Sequence, residues 1–214
     1  VLTAVLGAVG SAALWSGGFT GVAHARAATP SGKLERRTWS RSTSGNGWPI
    51  VDAVPVRAIE GPDVGVAVLD GDVGTVLLHV ARRFHYEIDA LRRGDVAGHT
   101  SEREITATCE SNHLSATAIA IRPRSYPVGI SGGLFPNELT VVRDVLLDVG
   151  DVVRWGGDEQ LPEESDFHIA VGPRHPALKE VADRTRGWNA GQGRGAGATN
   201  SWEPARLGAA GSNR

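Results

Sequence analysis

Hydrophobic residues recur along this chain with two different periods. Val76, Val80, Phe84, Ile88 and Leu91 follow one another at intervals of four, four, four and three residues. That spacing lines one face of a helix, so residues 74–92 are predicted as an amphipathic helix closed by Gly94. A second helix is expected from Pro136, which suits a first-turn position, through Leu139, Val142, Leu146 and Val149 to a stop at Gly150. Shorter β-rich pieces lie at 50–56, 64–69, 117–122, 151–155 and 166–171. Strand runs mixed with two separate helices predict an α+β fold, with the helices packed on one small sheet. No internal repeat is present.

The pattern changes at both ends. Residues 1–23 carry no charged side chain and run into Ala23-His24-Ala25-Arg26-Ala27-Ala28, where small residues at 23 and 25, or at 25 and 27, fit a signal-peptidase site. Residues 1–27 are therefore read as a cleaved export signal, although no basic n-region precedes them. The stretch is long enough to span a membrane, but its Gly and Ser content makes a poor permanent span. Residues 28–47 are rich in Ser, Thr, Gly and Arg without hydrophobic period and read as a linker. Residues 185–214, with Gly191-Gln192-Gly193-Arg194-Gly195, read as a flexible Gly-rich tail. The folded domain is thus expected over 48–184.

Composition narrows the function classes. A chain of 214 residues with 41% hydrophobic content supplies a sizeable core, which excludes a disordered or fibrous protein. Lys and Arg number 22 against 24 Asp and Glu, a formal charge of −2, so no summed positive field holds nucleic acid and none is expected as a partner. The single cysteine, Cys109, forms neither an intramolecular disulfide nor a multi-cysteine zinc cluster.

Candidate chemistry concentrates in three stretches: Ser111-Asn112-His113-Leu114-Ser115-Ala116-Thr117-Ala118-Ile119-Ala120, Arg154-Trp155-Gly156-Gly157-Asp158, and Asp166-Phe167-His168-Ile169. Together they resemble the zinc D-Ala-D-Ala carboxypeptidases of the VanY-like family, whose relatives include the phage L-alanyl-D-glutamate endopeptidases. Gly45-Asn46-Gly47-Trp48-Pro49, Arg83-Phe84-His85-Tyr86-Glu87-Ile88-Asp89 and Gly132-Gly133-Leu134-Phe135-Pro136 extend the resemblance over roughly 45–188. It implies the Hedgehog/DD-peptidase fold, a small antiparallel-rich sheet with helices packed on it. The family's first motif reads S-x-H-x-x-G-x-A-x-D, its His and Asp being zinc ligands. A later D-x-x-H or E-x-x-H, just after W-G-G-D, supplies a catalytic carboxylate and the third ligand.

Three protein ligands leave zinc a fourth position for water, whose pKa falls towards neutrality, and a carboxylate takes its proton. This sequence departs from that recipe. His113 matches the first ligand, but Ala120 stands at the Asp position and Ala116 at the preceding Gly. Aligning Phe167-x-Ile169 with the family's H-F-x-I strand puts Asp166 at the ligand His and Glu163 at the catalytic carboxylate. Alternate strand residues face one side, so His168 lies beside Asp166. The implied site is therefore His113, Asp166 and His168 on zinc with Glu163 as base. Read without the resemblance, His113 is a loop or core histidine, and Glu163 and Asp166 belong to a solvated acidic run.

Such peptidases also use a cation on the substrate, since a guanidinium forks onto a carboxylate. Arg83 is the first candidate and Arg82 the second, either being equally readable as the polar face of its helix. Trp155 with its two glycines is expected to shape the substrate cleft or to form a tight turn. The resulting expectation is a secreted or wall-associated bacterial zinc peptidase-like domain acting on peptidoglycan stem peptides. The alternative is an inactive descendant that binds wall peptides without hydrolysis, because one metal ligand is missing and another exchanged.

Overall fold

The computed structural model describes residues 34–191 and 199–212. The expected export signal, residues 28–33 of the expected linker and the Gly-rich stretch 192–198 lie outside them. Strands β1 (Arg37–Thr38), β2 (Val56–Ala58) and β3 (Gly65–Ala67) precede helix α1 (Asp72–Glu87). Then come β4 (Val96–Ala97), β5 (Glu104–Ile105), β6 (Ala118–Ile121), helix α2 (Pro136–Val149), β7 (Val153–Trp155) and β8 (Asp166–Ile169). Helices α3 (Pro176–Ala190) and α4 (Pro204–Ser212) close the chain. Among the described residues no helix is long and apolar enough to cross a membrane.

The main sheet has the order β4-β6-β8-β7, every pair antiparallel, and β1 with β5 and β2 with β3 form two small ribbons. The architecture is α+β, as the mixed periods predict. Strand alternation divides the main sheet into two chemically different faces. Ile119, Ile121, Phe167, Ile169, Val153 and Trp155 project into the core with α1 and α2. The opposite face carries Ala118, Ala120, Asp166, His168 and Arg154, and this division positions the candidate site.

Several boundaries differ from those expected. Helix α1 ends at Glu87 rather than 92, because the N–H groups of both Ile88 and Asp89 bond Phe84 O and the His85 ring accepts the Leu91 N–H, turning the chain back. The piece 50–56 enters a strand only at Val56. Residues 37–47 are not a free linker. β1 pairs with β5, Trp39 joins Ile105 and Leu114 in a second small cluster, and the Asn46 amide donates to Thr117 Oγ1 and Ile169 O at 2.8 Å each. Nor is 185–214 a tail throughout, since α3 runs to Ala190 and α4 packs on α2.

Arg83 lies outside the candidate site. Its guanidinium is 1% exposed and is bonded to Glu87, to Asp144 at 2.8 Å, to Asp148 at 2.7 Å and to Ser201 at 3.2 Å. Arg206 of α4 reaches the same Asp144 and Asp148, and His79 faces Asp148 at 3.3 Å. Arg82 is likewise occupied by Glu60 at 2.7 Å and Asn189 at 2.6 Å. Both arginines therefore tie helices together. The carboxylates that Arg83 holds are internal to the domain, not those of a substrate, and it does not lie on the polar face of its helix.

Removing one partner of a buried charge network leaves the others unpaired, at a cost of about 3–5 kcal/mol. Arg83→Met is expected to lower the unfolding free energy by about that amount in urea denaturation near neutral pH. Burial pushes the Asp148 carboxyl up, but His79, Arg206 and Arg83 outweigh it and hold the group well below the usual carboxylate range. A depressed folded-state pKa gives stability that is complete above the unfolded value and lost as pH falls below it. Melting temperature should accordingly fall between about pH 5 and pH 3, and Asp148→Asn should flatten that slope.

Candidate functional site

The site is built on β8 and its partner β6. Asp166 and His168 stand opposite Ala120 and Ala118, whose small side chains leave the two polar groups room over the sheet. The Ile121 N–H to Ser165 O bond makes Ala120 and Asp166 a non-hydrogen-bonded pair, the register in which opposite side chains approach most closely. A single 3-10 turn, Cys109–His113, packs on this face and brings His113 over Asp166. Gly156 lies against the other side of Asp166, and a Cβ there would stand 2.9 Å from the Asp166 Cβ. The second residue of Trp-Gly-Gly is thus required by close approach to the site.

His113 Nδ1 donates to Gly98 O at 2.8 Å, which turns Nε2 towards Asp166 Oδ1 at 3.3 Å. That approach lies outside hydrogen-bond alignment, and Oδ1 is buried with no other partner. On the far side His168 Nδ1 bonds Asp166 Oδ2 at 2.6 Å, while His168 Nε2 faces Glu159 at 3.9 Å. Asp166 is fully buried between two imidazoles. Burial pushes its carboxyl up, but His168 and His113 outweigh burial and hold it down at about 2. For His113 burial lowers the pKa, and Asp166 overcomes this and raises it. The Asp166 carboxylate therefore favours the protonated form of His113.

Glu163 is buried nearby, with the Cys109 thiol 3.9 Å from Oε2. Burial and the negative Asp166, reinforced by Glu110, push its carboxyl from 4.5 to about 8. The same burial and acids push the Cys109 thiol up, which keeps it protonated and excludes a thiolate role at neutral pH.

The structure therefore brings His113, Asp166, His168 and Glu163 together, but as an internal chain. A catalytic zinc requires three converging protein donors. Ala120 supplies none, and His168 turns Nδ1 onto Asp166. Among the described residues no group of three or more His, Cys, Asp or Glu side chains is arranged to hold a metal ion. The residues present do not fit the three-ligand zinc expected from His113, Asp166 and His168. Two donors do fit one ion: His113 Nε2 and Asp166 Oδ1 are 3.3 Å apart, about the edge of a tetrahedron with 2.0–2.1 Å bonds.

Trp155 belongs to the core face, where its indole N–H donates to Glu164 O at 2.8 Å and the Arg143 guanidinium lies 4.9 Å over its ring. It also lines a groove of about 510 Å³ with Arg143, Arg154, Asp158 and Glu159. Two further residues belong to the neighbourhood. Arg154 is the exposed cross-strand partner of His168, and Glu159 meets the His168 ring at the rim. A polar residue between Val153 and Trp155 marks an outward-facing strand position, the one signal by which Arg154 is legible. Compared with known proteins, the chain matches no family model, no curated protein and no solved structure.

Because the folded-state pKa of Glu163 lies above its ordinary value, its contribution to stability is complete at acid pH. That contribution is lost as pH rises through about 8. Glu163→Gln is expected to raise the melting temperature of the metal-free protein by a few degrees at about pH 8.5 and to leave it nearly unchanged at about pH 5, as read by calorimetry.

Proposed function

We propose that this is a domain of the Hedgehog/DD-peptidase type that binds peptidoglycan stem peptides without hydrolysing them, in an exported or wall-associated protein. The family and the substrate class rest on the motif resemblance. The absence of hydrolysis rests on one observation, the His113–Asp166–His168 chain opposite Ala120. In that chain the His168 ring is taken up by Asp166 Oδ2, Ala120 adds no donor beside His113 Nε2 and Asp166 Oδ1, and Glu163 holds its proton rather than accepting one. Arg154 and Glu159 at the rim supply a cation and an anion for the charged ends of a short peptide.

A second reading, a peptidase with His113, Asp166 and His168 on zinc and Glu163 as base, is favoured by the His113–Asp166 separation and the partnerless Asp166 Oδ1. It requires the His168 ring to leave Oδ2 and turn towards the ion.

Calorimetric titration with zinc and with a stem pentapeptide, followed by mass spectrometry of the peptide, separates the two. The expected result is saturable peptide binding, intact peptide, no tight zinc, and weaker binding in Arg154→Ala. Tight one-to-one zinc that disappears in His113→Ala, together with a cleaved peptide, would establish the second reading. Ala120→Asp combined with Asp166→His is expected to strengthen zinc binding on the order of a hundredfold or more. No gain would sink the alignment on which both readings rest.

A further inference from the structure

A second charged feature lies at the end of the β4–β6 pair, away from the imidazole chain. It is a hollow of about 290 Å³ lined by Arg92, Arg93, Arg122 and Arg124 with Asp95 and Ser125. Two turns form its walls. One runs from Arg92 to Asp95 through Gly94, whose φ of +87° suits glycine, and is closed by the Asp95 N–H on Arg92 O at 3.0 Å. The other runs from Arg122 to Tyr126, with Arg122 O accepting the N–H groups of Ser125 at 2.9 Å and Tyr126 at 3.1 Å. Arg122 itself has φ +54°, an uncommon conformation for a residue with a side chain, and its N–H is pinned on Asp95 O at 2.5 Å.

The carboxylates nearby do not cancel the four guanidiniums. Asp89 is bonded to Arg122, and Asp95 faces Arg122 at 3.6 Å while accepting the Arg92 N–H at 2.9 Å, so Arg122 forms a neutralised floor. Asp63 meets Arg93 at 3.2 Å with both side chains more than four-fifths exposed, a contact worth little in water. Arg92 and Arg124 are exposed and have no carboxylate within salt-bridge reach among the described residues. This local excess of positive charge stands in a chain whose net charge is −2.

We infer that the hollow is a binding site for a phosphate-bearing anion. A carboxylate offers two coplanar oxygens and one charge, which a single guanidinium fork satisfies. A phosphate offers three acceptor oxygens in three directions and up to two charges, which suits guanidiniums arriving from two separate walls. The pinned turns hold both walls before a ligand arrives, which lowers the ordering cost of binding. A phosphomonoester presents all three oxygens at one phosphorus, whereas a phosphodiester polymer has two free oxygens and one charge at each phosphorus and meets the two walls with successive phosphates.

The test titrates the isotope-labelled protein with inorganic phosphate by nuclear magnetic resonance and with poly(glycerol phosphate) by calorimetry, sodium acetate serving as the carboxylate control. Amide shifts confined to Arg92–Asp95 and Arg122–Ser125 are expected with phosphate, and polymer binding is expected to weaken as salt rises. Saturation by inorganic phosphate identifies a single phosphate group as sufficient, whereas saturation by the polymer alone identifies a phosphodiester chain. Arg92→Gln with Arg124→Gln should weaken binding by about tenfold for each lost contact, while the exposed Arg174→Gln should leave it unchanged. No shift with either phosphate probe, equal shifts with acetate, or an equal loss in Arg174→Gln would overturn the assignment.

Discussion

The carboxylate of Asp166 is fully buried on the polar face of the main sheet, and the candidate site is arranged around it. A buried charge survives only when it is paired, and here the pairing comes from two rings reaching it from opposite sides. Its negative charge fixes the protonation of its neighbours: it favours an imidazolium at His113 and opposes a second ionised carboxyl at Glu163. Its position also explains why Gly156 carries no side chain and why the small Ala120 faces it across the ladder. One residue on a central strand thus governs the shape of the surrounding turn and the charge of two other groups.

A second buried network does different work with the same ingredients. Arg83 and Arg206 meet Asp144 and Asp148 between α1, α2 and α4, joined by Glu87, Ser201 and His79. It links the C-terminal helix to the body of the domain. Helix α4 contributes one fully packed side chain, Ala210, to the interior, so its docking depends on these charges far more than on apolar area. The two networks are separate because the sheet lies between the imidazole chain and the helical layer.

Sequence patterns were informative where one face of an element was uniformly apolar. Helices α1 and α2 and the alternation of β6, β7 and β8 were legible for that reason. Helix α3 was not, because Leu178, Val181 and Ala182 are few against Lys179, Glu180, Asp183, Arg184 and Arg186. Helix α4 has only nine residues, two of them glycines, which is too short to be stable alone, and tertiary ion pairs hold it. The segment 37–47 has no period at all. Its order comes from the Trp39 cluster and from the Asn46 amide bridging β6 and the end of β8.

By itself the sequence determined that the chain folds as α+β and that Asp166 and His168 share one face of a strand, conclusions that follow from local order: strand alternation and turn residues. That His113 and Glu163 join them, and that Ala120 stands where a donor was expected, was only what the motif resemblance implied. Only the tertiary structure decided where the lone pairs and charges point. It turned His168 onto Asp166 instead of towards an open position, took Arg83 into the helical layer and put Arg154 beside His168. It also set the arginines of two distant turns around one hollow. The physical reason is that a side chain's partners are fixed by long-range packing and by the requirement that every buried charge be paired, and neither is encoded in spacing along the chain.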